Sequence, residues 1–326
     1  MQEATGSRNQ GIIIIPKHQI NPKLERFLYN LRIFIRNKIA FVGMLIVTGY
    51  TIMAIMDWLY PQFLGVKSDA TLANFVSAYG GLRVFANQIP PGFSHGWQYL
   101  LGGTEYNVPV LPLMIAAMRT DLFFAAIVVV GSAVIGTMYG ALSGYFGGVV
   151  DEIMMRIGDI FLSVPTLVFA ILVWIILGAD FTNLVIALII VMWPFYARIA
   201  RSSALFIRHM NYVEASTAVG SRRIRNLFVH VLPNITSPIL VRFTMDLGNA
   251  VTILATLFFL DLYYKPSLLA PPEIGEMISI AASNGYVFTG QWWSYIFPGL
   301  FLLLFSVGAN LFGDGIRDIL DPRLRF

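Results

Sequence analysis

Six nearly unbroken apolar stretches, each about twenty residues long, divide this chain. They run over 39–60, 120–143, 157–177, 182–199, 239–262 and 292–312. Each is long enough to cross a bilayer as a helix, the conformation in which a segment satisfies its own backbone in lipid. The composition leaves little room for a soluble alternative. The chain is 57% hydrophobic and 12% charged over 326 residues, whereas a soluble domain carries about a quarter charged residues. The expectation is an all-α integral membrane protein with six transmembrane helices.

A net charge of +4 could suggest a nucleic-acid partner, but the positions of the cations argue otherwise. Seven Lys and Arg precede the first apolar run, Arg156 lies between the second and third, six lie between Arg198 and Arg225, Arg242 follows, and three occupy the tail. Only Lys67, Arg83, Arg119 and Lys265 fall on the other side. Basic residues are retained on the cytoplasmic side of membrane proteins, so both termini are expected in the cytoplasm. The segments are then 1–38 cytoplasmic, 39–60 the first span, 61–119 extracytoplasmic, 120–313 a five-helix core and 314–326 a cytoplasmic tail. Trp58, Trp292 and Trp293 are expected at outer boundaries. No cleavable signal is expected, since the apolar Ile12–Ile15 run is too short.

Two features are expected to shape the spans. Gly136, Gly140 and Gly144 recur every four residues, which lets helices approach closely in lipid. Pro165 and Pro194 lie inside spans and should kink them.

The longest polar, basic interruption, Asn211–Pro233, lies within a cytoplasmic loop expected over 203–237 and has its own punctuation. Asn211 is a suitable N-cap with Glu214 three residues on. Tyr212, Ala215, Ser216 and Val219 fall on one helical face. Gly220 stands where a left-handed residue ends a helix. Ser221 could cap a second helix, and Pro233 closes the segment. The spacing predicts helix, glycine turn, helix.

Several chemistries are excluded. None of the five lysines follows a glycine, so the phosphate-cradling GxxxxGK[ST] loop is absent. His18, His95, His209 and His230 are scattered, and no metal site is expected. There is no cysteine, and no catalytic constellation can be drawn. Arg242 and Asp246, four apart, are expected to pair, and Arg156 with Asp159 likewise. No acid stands out at mid-span without a partner, as a proton-coupled transporter would want.

The Glu214-Ala215-Ser216 string, with Gly220 and Leu232-Pro233 following, resembles the EAA loop of ABC-importer permeases. Ser216 replaces the second alanine of that pattern and His230 its isoleucine. Tyr212-Val213-Glu214-Ala215 with Gly220 is similar to the peptide/nickel branch. The likeness continues through Arg36-Asn-Lys-Ile-Ala-Phe-Val-Gly43, the Gly144-Tyr-Phe-Gly-Gly run to Asp159, Trp193-Pro-x-Tyr-Ala-Arg198, and Asn310-Leu-Phe-Gly-Asp-Gly to Arg323. It resembles the second-type permease subunit of dipeptide/oligopeptide/nickel importers. Departures cluster on the outer side: Glu105, Asn107-Val108-Pro109, Leu254, Phe258 to Tyr263, and Ile274 stand at divergent positions.

The resemblance implies a type I ABC importer permease fold, with no catalysis and no cofactor on this chain. ATP and Mg would sit on two partner ATPase subunits. A second homologous permease, an extracytoplasmic solute-binding protein and membrane lipid complete the expected partners. Tyr212, Val213, Glu214, Ala215, Ser216, Gly220, Leu232 and Pro233 would form the ATPase-coupling loop. In it Glu214 caps, Ala215 permits close approach and Gly220 turns the chain. Arg222, Arg223 and Arg225 would meet either acidic ATPase surface or lipid headgroups. Peptides are the default cargo, with oligosaccharides as the alternative and nickel disfavoured. A self-contained secondary transporter or channel is the rival of a different class.

Overall fold

The computed structural model describes residues 37–59, 88–104, 108–178, 180–260 and 272–320. The expectations placed on residues 1–36, on Lys67, Arg83, Glu105, Asn107 and Lys265, and on Arg323 lie outside the described residues.

The chain is helical, and among the described residues the only β pairing is an isolated bridge between Gly103 and Pro109. Helix α1 spans Lys38–Leu59, and α2 spans Val110–Phe146. Next come α3 (Gly148–Leu162) and α4 (Thr166–Leu177), then α5 (Phe181–Ile207). Two short helices, α6 (Asn211–Ala218) and α7 (Arg223–Asn226), lead through a π turn at Leu227–Val231 into α8 (Leu232–Phe259). The chain ends its described part with α9 (Ile274–Ser283), α10 (Tyr286–Thr289) and α11 (Trp293–Leu320).

Five helical stretches are long and apolar enough to cross a membrane, and α3 with α4 makes a sixth if that pair counts as one span. That pair bends by 90°. A single run over 157–177 is therefore not what forms. Pro165 has no N–H to donate and restricts Val164 before it, so α3 stops at Leu162 and Pro165 becomes the N-cap of α4. By contrast, Pro194 stays inside α5 without ending it.

The most extensive packing joins α2 to α5. A Cβ on Gly136, Gly140 or Gly144 would collide with the backbone carbonyl of Trp193, Ala197 or Arg201 respectively. The four-residue stripe on α2 therefore rides along the matching backbone row of α5, which only hydrogen at Cα allows. Helix α1 lies against α11, where Tyr50 donates to the Phe301 carbonyl at 2.8 Å and Asn37 to Asp318 at 2.9 Å. Asp57 near the end of α1 meets Arg119 of α2 at 3.0 Å.

At the same end, the loop before α2 packs under α11. Trp293 is buried there and its Nε1 donates to the Gly103 carbonyl at 3.1 Å. It is thus a core residue, unlike its neighbour Trp292 and unlike Trp58, both of which are exposed. Asp180 caps α5, accepting from the Thr182 amide at 3.3 Å.

Candidate functional site

Between α5 and α8 the chain projects from the bundle as α6, reverses, and returns through α7. The reversal is made by Gly220, whose φ is 85°. Its N–H donates to the Thr217 carbonyl at 3.0 Å, and the Ser221 N–H reaches back to the Ser216 carbonyl at 3.1 Å. This double closure is the Schellman arrangement, and it satisfies the carbonyls that α6 would otherwise leave open.

The start of α6 differs from the expected capping. Met210, in extended conformation, is the N-cap, and its carbonyl accepts from Val213 at 2.8 Å and Glu214 at 3.1 Å. Asn211 is consequently already helical and makes no cap. Glu214 turns to His209, 3.8 Å away, instead of closing a capping box. Nor does Ser221 cap α7, because Arg222 takes that place and its carbonyl accepts from the Asn226 amide at 3.1 Å. Pro233 does not close the segment. It sits in the first turn of α8, where the preceding π turn lets the helix continue past a residue without an N–H.

Asn226 holds the two short helices together and was not singled out by its position in the sequence. It is fully buried, accepts from Ser216 Oγ at 2.8 Å, and donates through Nδ2 to Thr217 Oγ1 at 3.1 Å. Val213 is the buried apolar anchor of α6. The face of Tyr212, Ala215 and Val219 is exposed, with Ser216 half-buried beside it. Ile224 and Phe228 are exposed on the returning arm, as are Arg222, Arg223 and Arg225. A segment closed by its own hydrogen bonds thus presents a mixed apolar and basic surface away from its own bundle. Beside it lies a cleft of about 380 Å³ lined by Tyr145, Phe146, Arg208, Val213, Glu214 and neighbours.

The ground beneath this segment is tied by arginines of α5. Arg201 makes a two-pronged ion pair with Asp151 of α3, each bond 2.6 Å, and Ser143 of α2 donates to the same carboxylate. Arg208 donates to the Gly144 carbonyl at 3.2 Å. Arg198 pairs with Asp159 at 2.7 Å. Asp159 therefore bridges to α5 and not to Arg156 on its own helix, because the α3–α5 contact brings a forked guanidinium within reach. Arg242 and Asp246 do pair, at 2.8 Å, with the guanidinium also 5.3 Å from the Phe195 ring centre.

Leu232 and Pro233 lie elsewhere. With Ala133, Thr137, Thr236 and Ile239 they line an open apolar groove of about 440 Å³ between α2 and α8.

Residues 136–326 match the family described as the inner membrane component of binding-protein-dependent transport systems. The chain is 37% identical over 239 residues to the dipeptide transport system permease protein DppC of Haemophilus influenzae, spanning 73% of this chain and 79% of that one. It is 31% identical to the oligopeptide transport system permease protein OppC of Bacillus subtilis, over 90% of this chain and 88% of the relative. The chain belongs to this family of transport permeases. Its fold also matches a chain of the MetNI methionine ABC transporter in inward-facing conformations, with a TM-score of 0.52 and 18% identity, over 65% of this chain and 98% of that one. The permease is a multi-pass protein of the cell membrane and an ABC-importer subunit, and its relatives are transport permease subunits. Membership implies work alongside ATPase and other ABC components.

Proposed function

We propose that this permease forms half of the path by which peptides enter the cell, beside a second homologous permease. Two ATPases would hold ATP and Mg below, and a solute-binding protein would deliver cargo from outside. The cavity between the two permeases opens to one side and then the other as the ATPases close. In this reading both termini are cytoplasmic, and the α6–turn–α7 segment is where an ATPase docks.

One observation carries the docking assignment. The segment is fixed from within by Asn226 and Val213, yet it turns Tyr212, Val219, Ile224 and three arginines outward. A surface that is both rigid and apolar is suited to transmit force to a partner. The apolar groove between α2 and α8 is then the face turned to the second permease. Peptide as cargo rests on the relatives, which are dipeptide and oligopeptide permeases by name.

The test is co-purification from native membranes, wild type beside Gly220→Pro. Proline cannot adopt φ near 85° and removes the N–H donated to Thr217, so the turn must distort. The expected result is loss of the ATPases with the second permease retained. Retention of the ATPases by the variant, or a wild type that purifies alone, rules out the docking role. Uptake of labelled dipeptides against labelled oligosaccharides in cells lacking the chromosomal copy decides the cargo.

A further inference from the structure

At the end of the bundle opposite α6, two acids from distant parts of the chain meet in the interior. Asp121 lies on α2 and is fully buried. Glu273 immediately precedes α9 and is 1% exposed. Their side chains are within hydrogen-bonding reach of one another. Both oxygens of Asp121 and Oε1 of Glu273 are buried without a well-formed hydrogen bond, although the backbone N–H of Ile274 bears on Asp121 and that of Gly275 on Glu273, while Glu273 Oε2 accepts from the Glu276 amide at 2.8 Å. Two ionised carboxylates in contact, with their oxygens out of water, repel strongly even beside backbone N–H groups. A proton placed between them turns the same contact into an O–H···O⁻ bond, the short and strong kind.

The surroundings favour a proton over a larger ligand. Glu273 lines a cavity of only about 30 Å³, with Thr104, Glu276, Tyr286 and Ser294 among its other walls. That is room for one or two waters. No group of three or more acidic or histidine side chains that could hold a metal ion occurs among the described residues. The charged groups bearing on the pair are few. Glu276 of α9 adds negative charge, and Arg119 on α2 is engaged with Asp57 of α1. From α11 the wall is Ser294, which donates to Gln88 of the loop before α2, and from that loop it is Thr104. From α8 the backbone of Ala255 packs so closely on Gly275 that a Cβ there would overlap it.

The contact is also mechanically placed. Helix α9 is ten residues long and packs on α8, α11 and α2. Glu273 is both its N-cap and its tie to α2.

We propose that Asp121 and Glu273 together bind one proton, and that this shared proton latches α9 onto α2. Burial first, and with it the negative charge of Glu276, push the Glu273 carboxyl up, while the hydrogen bond from Asp121 favours its charged form; Glu273 therefore ionises first, and the pair still holds one proton after it does. The latch is closed at neutral pH and opens as the medium turns alkaline and the pair ionises fully. The latch stands apart from the docking assignment, since its test reads α9 and not the ATPases.

The experiment is hydrogen–deuterium exchange of the full transporter complex in lipid nanodiscs between about pH 6 and about pH 10, corrected for intrinsic rates. In wild type, protection of the α9 amides should fall by about tenfold or more across a step at the alkaline end of that range. Asp121→Asn supplies a permanent donor to Glu273 and should abolish the step, and Glu273→Gln should do the same from the other side. Glu276→Gln should keep it. Infrared difference spectra over the same range should show one carboxylic-acid band in wild type that is missing from both pair variants. Constant protection in wild type, a step surviving in both pair variants, or no acid band overturns the proposal. So does protection that tracks sodium concentration at fixed pH, which would mean two carboxylates bridged by a metal ion.

Discussion

Arg201 grips Asp151 through two hydrogen bonds of 2.6 Å, from Nε and from Nη2. The pair joins α5 to α3 just ahead of the point where the chain leaves the bundle for α6. Ser143 shares the carboxylate, so three helices meet at one side chain. The guanidinium beside Asp151 holds its carboxylate in the charged form by hydrogen bonding and attraction. Arg201→Lys keeps the charge but loses the planar fork. It should cost about 2 kcal/mol at this junction. The expected readout is weaker stimulation of ATP hydrolysis by cargo in the reconstituted complex, with assembly intact.

Gly140 sits against the Ala197 carbonyl with no space for a side chain. Gly140→Leu forces α2 and α5 apart along their whole contact. Overpacking of this kind costs about 3 kcal/mol or more. The variant should fail to accumulate in membranes, while Gly49→Leu on α1, where a Cβ meets nothing, should accumulate normally. Immunodetection of membrane fractions distinguishes the two.

Asn226 is the buried polar clip between α6 and α7. Asn226→Ala leaves Ser216 and Thr217 without it, at a cost of about 1–3 kcal/mol. The segment should loosen without unfolding the bundle. Limited proteolysis after Arg222, Arg223 or Arg225 should accelerate in the free permease and be suppressed when ATPase is bound.

The three arginines face two candidate partners. Replacing Arg222, Arg223 and Arg225 together with Gln should weaken ATPase association measured in detergent, and wild-type association should fall as salt rises. If the arginines instead serve lipid, association in detergent stays unchanged and binding to anionic nanodiscs of the isolated permease falls.

How much of this was legible in the sequence depended on separation along the chain. Arg242 and Asp246 could be paired on paper because four residues bring them to one helix face. Asp159 could not, since its partner Arg198 is 39 residues away and arrives only through the α3–α5 contact. The glycine stripe showed its period but not which helix it would meet. Asp121 was hidden by a boundary. With the second span taken to begin at 120, an acid at 121 reads as an edge residue, yet α2 starts ten residues earlier at Val110 and carries Asp121 into the interior. Its partner Glu273 lies across half the protein, in a stretch where periodicity says nothing. Asn226 was similarly silent, because its partners lie on the other side of a turn. The fold's helices were readable from local hydropathy, and the polar contacts that fix their arrangement were not.

The π turn at Leu227–Val231 adds one residue to an otherwise regular winding between α7 and α8. Each residue of an α-helix advances the azimuth by about 100°. The extra residue is therefore a phase setting, fixing the compass direction in which the α6–α7 arm points relative to the side of α8 that lines the groove. Removing one residue from this turn would leave the hydropathy of the span intact and the arm facing a different quarter of the molecule.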